Sequence, residues 1–312
     1  MTKYVVSGYI GFDNFGDEAI ARVLTQNLKK NGAEKITLIS SNPEKTAKLY
    51  GVESVGMFGF LKPIMDSDVL ISGGGSLLQD VTSLKSLVYY LGIIITALFF
   101  RKKVVIFAQG FTPFRTKIGK ILTKFVLKRC HKITVRDKQS QELLSGMGIN
   151  SSLVSDPVFG IDVPQKEKKG IGLQLRSFPT LTDEFVEKLV NEIKTRFPDE
   201  EIKLISLQDS IDLPVLEKIG GKLLKNLTVD EAIEEISSLK YLFAMRFHAC
   251  LIGAKAGVNV VGINYDIKVE TLAKTLGFPL IELNSEGLEN SFENTGNYTI
   301  PEFHSIFDTE QN

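Results

Sequence analysis

The chain has 312 residues, 43% hydrophobic and 24% charged, with 37 Lys and Arg balanced by 37 Asp and Glu. This is an ordinary globular composition, long enough for two domains rather than one. Two cysteines, Cys130 and Cys250, without ligand-like spacing exclude a disulfide framework or a zinc site. The charge is uneven: residues 1–155 hold 21 Lys and Arg against 11 Asp and Glu, a basic half that could face nucleic acid, an anionic membrane or a phosphorylated substrate.

Residues 4–9 read as a strand running into a glycine-rich loop, 8–18. From Asp17 the spacing of Ala19, Ile20, Val23, Leu24 and Leu28 predicts a helix that stops at Asn31-Gly32. Strand, loop and helix open a parallel sheet, which takes its ligands at the carboxyl ends of the strands. The loop is neither a dinucleotide fingerprint nor a P-loop. Its acids, Asp13 and Asp17, fit hydroxyl recognition or proton transfer, with helix capping by Asp17 as the structural alternative.

A strand at 35–40 follows, and another at 68–71 ends in 72–80, where Gly73, Gly74 and Gly75 would let a ligand approach the backbone and offer amides to an anion. Residues 87–100 form the most apolar stretch, flanked by Lys85 and Arg101-Lys102-Lys103. It falls short of the roughly 18–20 residues that span a bilayer, which predicts a buried or interfacial helix. After a strand at 103–108 and the turn Gln109-Gly110-Phe111-Thr112-Pro113 comes a basic helix with Ile118, Ile121, Leu122, Phe125 and Val126 interleaved among its lysines. These two helices could dock on an anionic membrane, or pack on the sheet with one solvated face. A short strand at 133–135 ends in Arg136-Asp137, a helix runs to near Gly146, and a strand at 152–155 ends at Asp156-Pro157, closing a first domain of residues 1–160.

Residues 162–169 are polar and aperiodic, as a linker is. A second alternation begins at 170–176 and continues as helix 182–197, strand 201–207, helix 229–238, strand 240–244, a helix after His248 and a last strand at 258–263. The second domain spans 168–285, and residues 286–312 read as a turn-rich tail. Arg246 and His248 fall at a strand-to-helix turn, where free N–H groups and the helix dipole favour anions. The pair suits a phosphorylated or carboxylated ligand; alternatively Arg246 pairs with a structural carboxylate and His248 is a packing residue. Lys268, just past the last strand, is placed for ligand contact or as a surface charge.

In order, residues 8–18 and 72–80, Gln109-Gly110, Val135-Arg136-Asp137, Asp156-Pro157, and residues 245–249 and 265–269 resemble the polysaccharide pyruvyl transferase family, its bacterial cell-wall members above all. The resemblance implies an α/β fold of two facing Rossmann-like domains, GT-B-like, with the active site in the inter-domain cleft, residues 1–160 on the acceptor side and 168–285 on the donor side. It implies transfer of pyruvate from phosphoenolpyruvate, as co-substrate, to two hydroxyls of a saccharide, giving a ketal and phosphate. Donor binding would fall on Arg136, Arg246, Lys268 and the backbone of Gly73, Gly74 and Gly75. His248 would be the general acid, and Asp13 or Asp17 would act on an acceptor hydroxyl. Asn14, Gln79, Asp80 and Gln109 would line the acceptor side. No metal, other cofactor or nucleic-acid partner is expected. The start of the chain shows no secretory signal, so a cytoplasmic protein is expected, working at the inner membrane face if its acceptor is lipid-diphosphate-linked. A glycosyltransferase of the same shape using a uridine sugar, and a non-catalytic phospho-ligand binding protein, are the competing readings.

Overall fold

The computed structural model describes residues 1–81, 83–284, 288, 292 and 296–307. The chain divides into two compact units, Met1–Ile161 with Glu302–Asn312, and Asp162–Pro301.

The first unit alternates strands β1 (Lys3–Ser7), β2 (Lys35–Ser40), β3 (Glu53–Gly56), β4 (Val69–Gly73), β5 (Lys103–Gln109), β6 (Lys132–Val135) and β7 (Ser152–Leu153) with helices. The helices are α1 (Phe15–Lys30), α2 (Pro43–Tyr50), α3 (Leu61–Asp66), α4 (Leu84–Phe99), α5 (Lys117–Leu127) and α6 (Lys138–Gly146). The strands lie in the order β3-β2-β1-β4-β5-β6-β7, all parallel. A parallel sheet covered on both faces needs continuously apolar strands, and β4 is buried along its whole length. The winding reverses between β1 and β4, so the loops leaving these two strands flank the topological switch point.

Helix α1 is capped by Asn14, whose side-chain oxygen accepts from the Gly16 N–H at 3.2 Å, while Asp17 and Glu18 occupy the first turn. Capping therefore belongs to Asn14, not to Asp17. Strand β5 carries an irregularity between Ile106 and Gln109, with Ala108 at φ 47° and its N–H donating to Thr134 Oγ1 at 2.8 Å. Such bulges re-aim the side chains that follow them, here Gln109.

The second unit contains β8 (Ile171–Gln174), β9 (Ile202–Ile205), β10 (Lys222–Leu224), β11 (Tyr241–Ala244), β12 (Asn259–Asn264) and β13 (Leu280–Glu282). Its helices are α7 (Asp183–Arg196), α8 (Asp209–Ile219), α9 (Val229–Ser237), α10 (Phe247–Lys255) and α11 (Ile267–Leu276). The order β10-β9-β8-β11-β12-β13 repeats the winding of the first unit, again parallel throughout, with its switch point between β8 and β11. Lys168 ties the ends of two of these helices, donating to the carbonyls of Ser237 at 2.6 Å and Ala256 at 2.7 Å.

Several elements exceed the sequence expectation. The strand expected last, 258–263, is followed by α11 and β13, so residues 265–269 form an internal strand–helix turn. Helix α8 contains Pro214, which conceals a helix from pattern reading. The expected tail 286–312 is divided between the units, residues to Pro301 with the second and from Glu302 with the first. In the first unit the His304 N–H donates to Ser155 Oγ at 3.1 Å. Residues 285–287, 289–291, 293–295 and 308–312 of that stretch lie outside the described residues.

Candidate functional site

In the second unit, Arg246 occupies the N-cap position of α10, and its N–H donates to Gln174 Oε1 at 2.9 Å, binding the ends of the two central strands together. Its guanidinium turns inward. Nε donates to Asp212 Oδ2 at 3.0 Å, and Nη2 donates to Asp212 Oδ1 at 2.6 Å and to Gln208 Oε1 at 3.1 Å. Asp212 is 0% exposed and also accepts from the N–H groups of Leu207 at 2.9 Å and Gln208 at 3.0 Å. Nε and Nη2 of Arg246 are thus spent on a buried carboxylate and on Gln208, which is the structural alternative that the sequence left open.

His248 is the second residue of α10, half-buried and edge-on to Phe247 with ring centroids 5.0 Å apart. Lys268 lies in the first turn of α11, capped by Asp266, which accepts from the Lys268 N–H at 2.9 Å. The two therefore emerge at the carboxyl ends of adjacent strands, β11 and β12.

A residue that pattern reading did not single out completes this edge. Arg176 follows β8 by two positions, and its N–H donates to Met245 Sδ at 3.4 Å, which brings it to the start of α10. Its Nη1 reaches Tyr265 Oη at 3.4 Å, a long bond, and its buried Nε makes none among the described residues. Burial pushes the Tyr265 phenol up, against the opposing charge of Arg176 and with a smaller push from Asp266, so it stays a neutral hydroxyl. The signal that could have found Arg176 was its place, a cation directly after the first strand of the second half.

In the first unit the expected residues also cluster at the carboxyl edge, after β1, β4, β5 and β6, which are neighbours in the sheet. Asp13 adopts φ 55° and pairs with Lys45 at 2.6 Å on the surface. Asp17 is half-buried and lines a small pocket at the switch point with Ser7, Gly8, Tyr9 and Gly73. Burial, and secondarily the charge of Asp17, raises the Tyr9 phenol above its ordinary value.

Two of the three glycines lie tight against α1. A Cβ on Gly73 would stand 2.5 Å from Leu24 Cδ1, and one on Gly74 2.4 Å from Ile20 Cγ2, so a side chain at either would force α1 residues to shift. Gly74 and Gly75 also hold positive φ, 44° and 73°. The Gly74 N–H donates to the Phe107 carbonyl at 2.8 Å, so the amide array expected there for an anion is not open at Gly74.

Other expected acceptor residues hold the loops. Asn14 caps α1, as described, and Gln79 Oε1 accepts from the Val81 N–H at 2.6 Å. Asp80 is buried, accepting from the N–H groups of Arg115 and Thr116, both at 2.8 Å, and from the Thr116 hydroxyl at 2.6 Å. It pins the loop after β4 to the start of α5. Burial pushes its carboxyl up, but these hydrogen bonds outweigh burial and hold it below the usual value. A depressed folded pKa means that the stabilisation is complete above the unfolded value and is lost as pH falls through the folded one. Asp80→Asn is therefore expected to cost about 1–3 kcal/mol near neutrality, with the urea midpoints of variant and wild type converging below about pH 4. A gap that persisted in acid would remove the charge from this account.

Gln109, expected to meet the acceptor directly, is 0% exposed; its Nε2 donates to Ser72 Oγ at 2.9 Å. Arg136 pairs with Asp156, Nη1 to Oδ2 at 2.6 Å, with both side chains buried, while Asp137 caps α6. A Cβ on Gly110 would lie 2.9 Å from Ser76 Oγ and 3.1 Å from Arg136 Nε, so hydroxyl and guanidinium converge over this glycine. Around it Ser76 Oγ, Gln109 Oε1 and Thr112 Oγ1 are buried without a hydrogen bond among the described residues. Such a set is suited to a polar ligand or a water.

Two doubly wound parallel sheets, each with its polar and charged groups at the carboxyl edge of the switch point, define a GT-B-like protein built of Rossmann-like units. The fold is similar to the UDP-GlcNAc 2-epimerase from Methanocaldococcus jannaschii, with a TM-score of 0.67 at 11% identity, over 97% of this chain and 96% of that one. It is similar to a putative UDP-N-acetylglucosamine 2-epimerase from Listeria monocytogenes, TM-score 0.68 at 12% identity, covering 97% and 92% of the two chains. It also resembles S. aureus MnaA in its co-structure with UDP, TM-score 0.68 at 10% identity, covering 99% and 94%. No curated protein matches the sequence. The family model of polysaccharide pyruvyl transferase matches residues 14–267, and the chain belongs to that family.

Proposed function

We propose that the protein transfers pyruvate from phosphoenolpyruvate to two hydroxyls of a saccharide, a cell-wall or surface polysaccharide precursor, forming a pyruvate ketal and releasing phosphate. The observation that carries this reading is Arg176, a guanidinium whose buried Nε has no hydrogen bond among the described residues, beside the start of α10. Phosphoenolpyruvate carries a phosphate and a carboxylate, and a planar fork binds either in two-point fashion. The first N–H groups of α10 and the ammonium of Lys268 add positive potential at the same edge.

His248 acts as general acid, donating a proton to the methylene carbon so that positive charge develops at C2. An acceptor hydroxyl adds to C2, and its proton passes to a carboxylate. The C2–O bond to phosphate then breaks, inorganic phosphate leaves, and the neighbouring hydroxyl closes on C2 to give the ketal, its proton passing to the now neutral His248 and restoring the acid. Of the two acids, Asp17 in the switch-point pocket suits the acceptor better than the surface-paired Asp13. The polar atoms around Gly110 offer hydrogen bonds to further hydroxyls of the saccharide. A lipid diphosphate is the carrier that would bring such an acceptor to a membrane face.

The test is calorimetric titration with phosphoenolpyruvate, followed by assay of acceptor-dependent phosphate release. His248→Gln is expected to keep phosphoenolpyruvate binding while turnover falls about 100-fold or more. Binding of UDP and not of phosphoenolpyruvate would instead favour a sugar-nucleotide enzyme, a reading that the UDP in the S. aureus MnaA structure keeps in view.

A further inference from the structure

Between Asp80 and Asp137 the sequence contains 12 Lys and Arg and no Asp or Glu. This stretch supplies α4, β5, α5 and β6, and α4 and α5 pack against each other. Helix α5 buries its small and polar positions, Gly119 and Thr123, together with Val126 and Leu127. Its large apolar residues point the other way: Ile118 is 62% exposed, Ile121 65% and Phe125 56%, with Leu122 exposed beside them. The spacing i, i+3, i+4, i+7 makes them one stripe on the solvent side. Helix α4 likewise buries Leu87, Leu91 and Ile94 and exposes Val88, Ile95 and, at 78%, Phe99.

The stripe on α5 is bordered by Lys117, Lys120 and Lys128, all exposed, and by Arg129, whose guanidinium stacks 3.6 Å from the centre of the Phe125 ring. We infer that this face of the first unit docks on an anionic phospholipid surface, the apolar stripe entering the headgroup boundary and the lysines meeting lipid phosphates. An amphipathic helix with a basic border lies in such an interface, held jointly by apolar burial and by charge. Charge decides between the possible occupants. A second copy would set two wholly basic faces against each other, whereas an anionic bilayer complements them. The contact is peripheral: α4 has 16 residues, about 24 Å of helix against a hydrocarbon core of about 30 Å, and no described helix is long and apolar enough to cross a membrane.

The inference does not depend on the reaction proposed above. Its test is flotation of the full chain with vesicles of phosphatidylcholine alone and of phosphatidylcholine mixed with phosphatidylglycerol. Binding to the anionic vesicles is expected to be at least about tenfold tighter than to the neutral ones and to weaken in high salt. The variant Ile121→Ser/Phe125→Ser, altered only at exposed positions, should keep the wild-type melting temperature and lose about tenfold or more of that binding. Equal recovery with both vesicle types would overturn the inference. So would a concentration-dependent dimer abolished by the same substitutions, which would assign the face to a second copy.

Discussion

Arg246→Ala is expected to lower the stability of the second unit by about 3–5 kcal/mol, a large share of the roughly 5–15 kcal/mol that holds a domain folded. The reason lies in what it leaves behind. Asp212 has no exposure, and its carboxylate faces Arg246 through three contacts, two from Nε and one from Nη2. Without the arginine, the charge keeps only two backbone N–H groups and the Gln174 amide, which donates at 3.2 Å. A buried ion left with one partner costs far more than the pair contributes when intact. Denaturant unfolding should show the midpoint falling. The double variant Arg246→Ala/Asp212→Ala should recover part of the loss, because it removes the stranded charge as well as the cation. A single variant with a wild-type midpoint would show that the pair is a bystander, and would return Arg246 to the donor site.

The same arginine shows what the sequence could and could not carry. The alternation of apolar runs with amphipathic segments is local, so the pattern of strand, loop and helix was legible from 35–40, 103–108 and 240–244, close to β2, β5 and β11. Short elements such as β3 and β10, with four and three residues, have no period to read. Partners are not local at all. Asp212 stands 34 residues before Arg246, and Asp156 stands 20 after Arg136. A sequence can place a cation at a strand end without saying which carboxylate has already claimed it. Arg136, Arg246, Asn14 and Asp80 all reached the right edge of a sheet, and all four hold structure there. Helix α5 misleads for a related reason. Its apolar residues suggest a core-facing stripe, yet a Cβ on Gly119 would already be 3.1 Å from Leu87 Cδ2, so α5 lies too close to α4 for large side chains between them. The small face goes inward and the large one outward.

Arg176→Ala is expected to give the opposite signature to Arg246→Ala: an unfolding midpoint close to wild type with a KM for phosphoenolpyruvate raised about 10- to 150-fold. This guanidinium holds less of the folded structure than that of Arg246: its Nε bonds no described residue, and it meets Tyr265 only through a long 3.4 Å bond to Oη and a ring contact 5.5 Å from the centroid. A charged hydrogen bond to ligand contributes about 1.5–3 kcal/mol, which is that range of affinity. Arg176→Lys separates charge from shape: an ammonium keeps the attraction but not the two-point fork, so it should fall between alanine and wild type. The pair of arginines also tests the proposed reaction against the sugar-nucleotide reading. If Arg176 holds a phosphate and a carboxylate of one small molecule, inorganic phosphate alone should compete weakly, and pyruvate with phosphate better than either. If it holds a nucleoside diphosphate, UDP should bind and phosphoenolpyruvate should not. A midpoint that drops in Arg176→Ala while KM stays unchanged would make Arg176 one more structural cation, and would leave His248 and Lys268 as the groups around which the donor site must be sought.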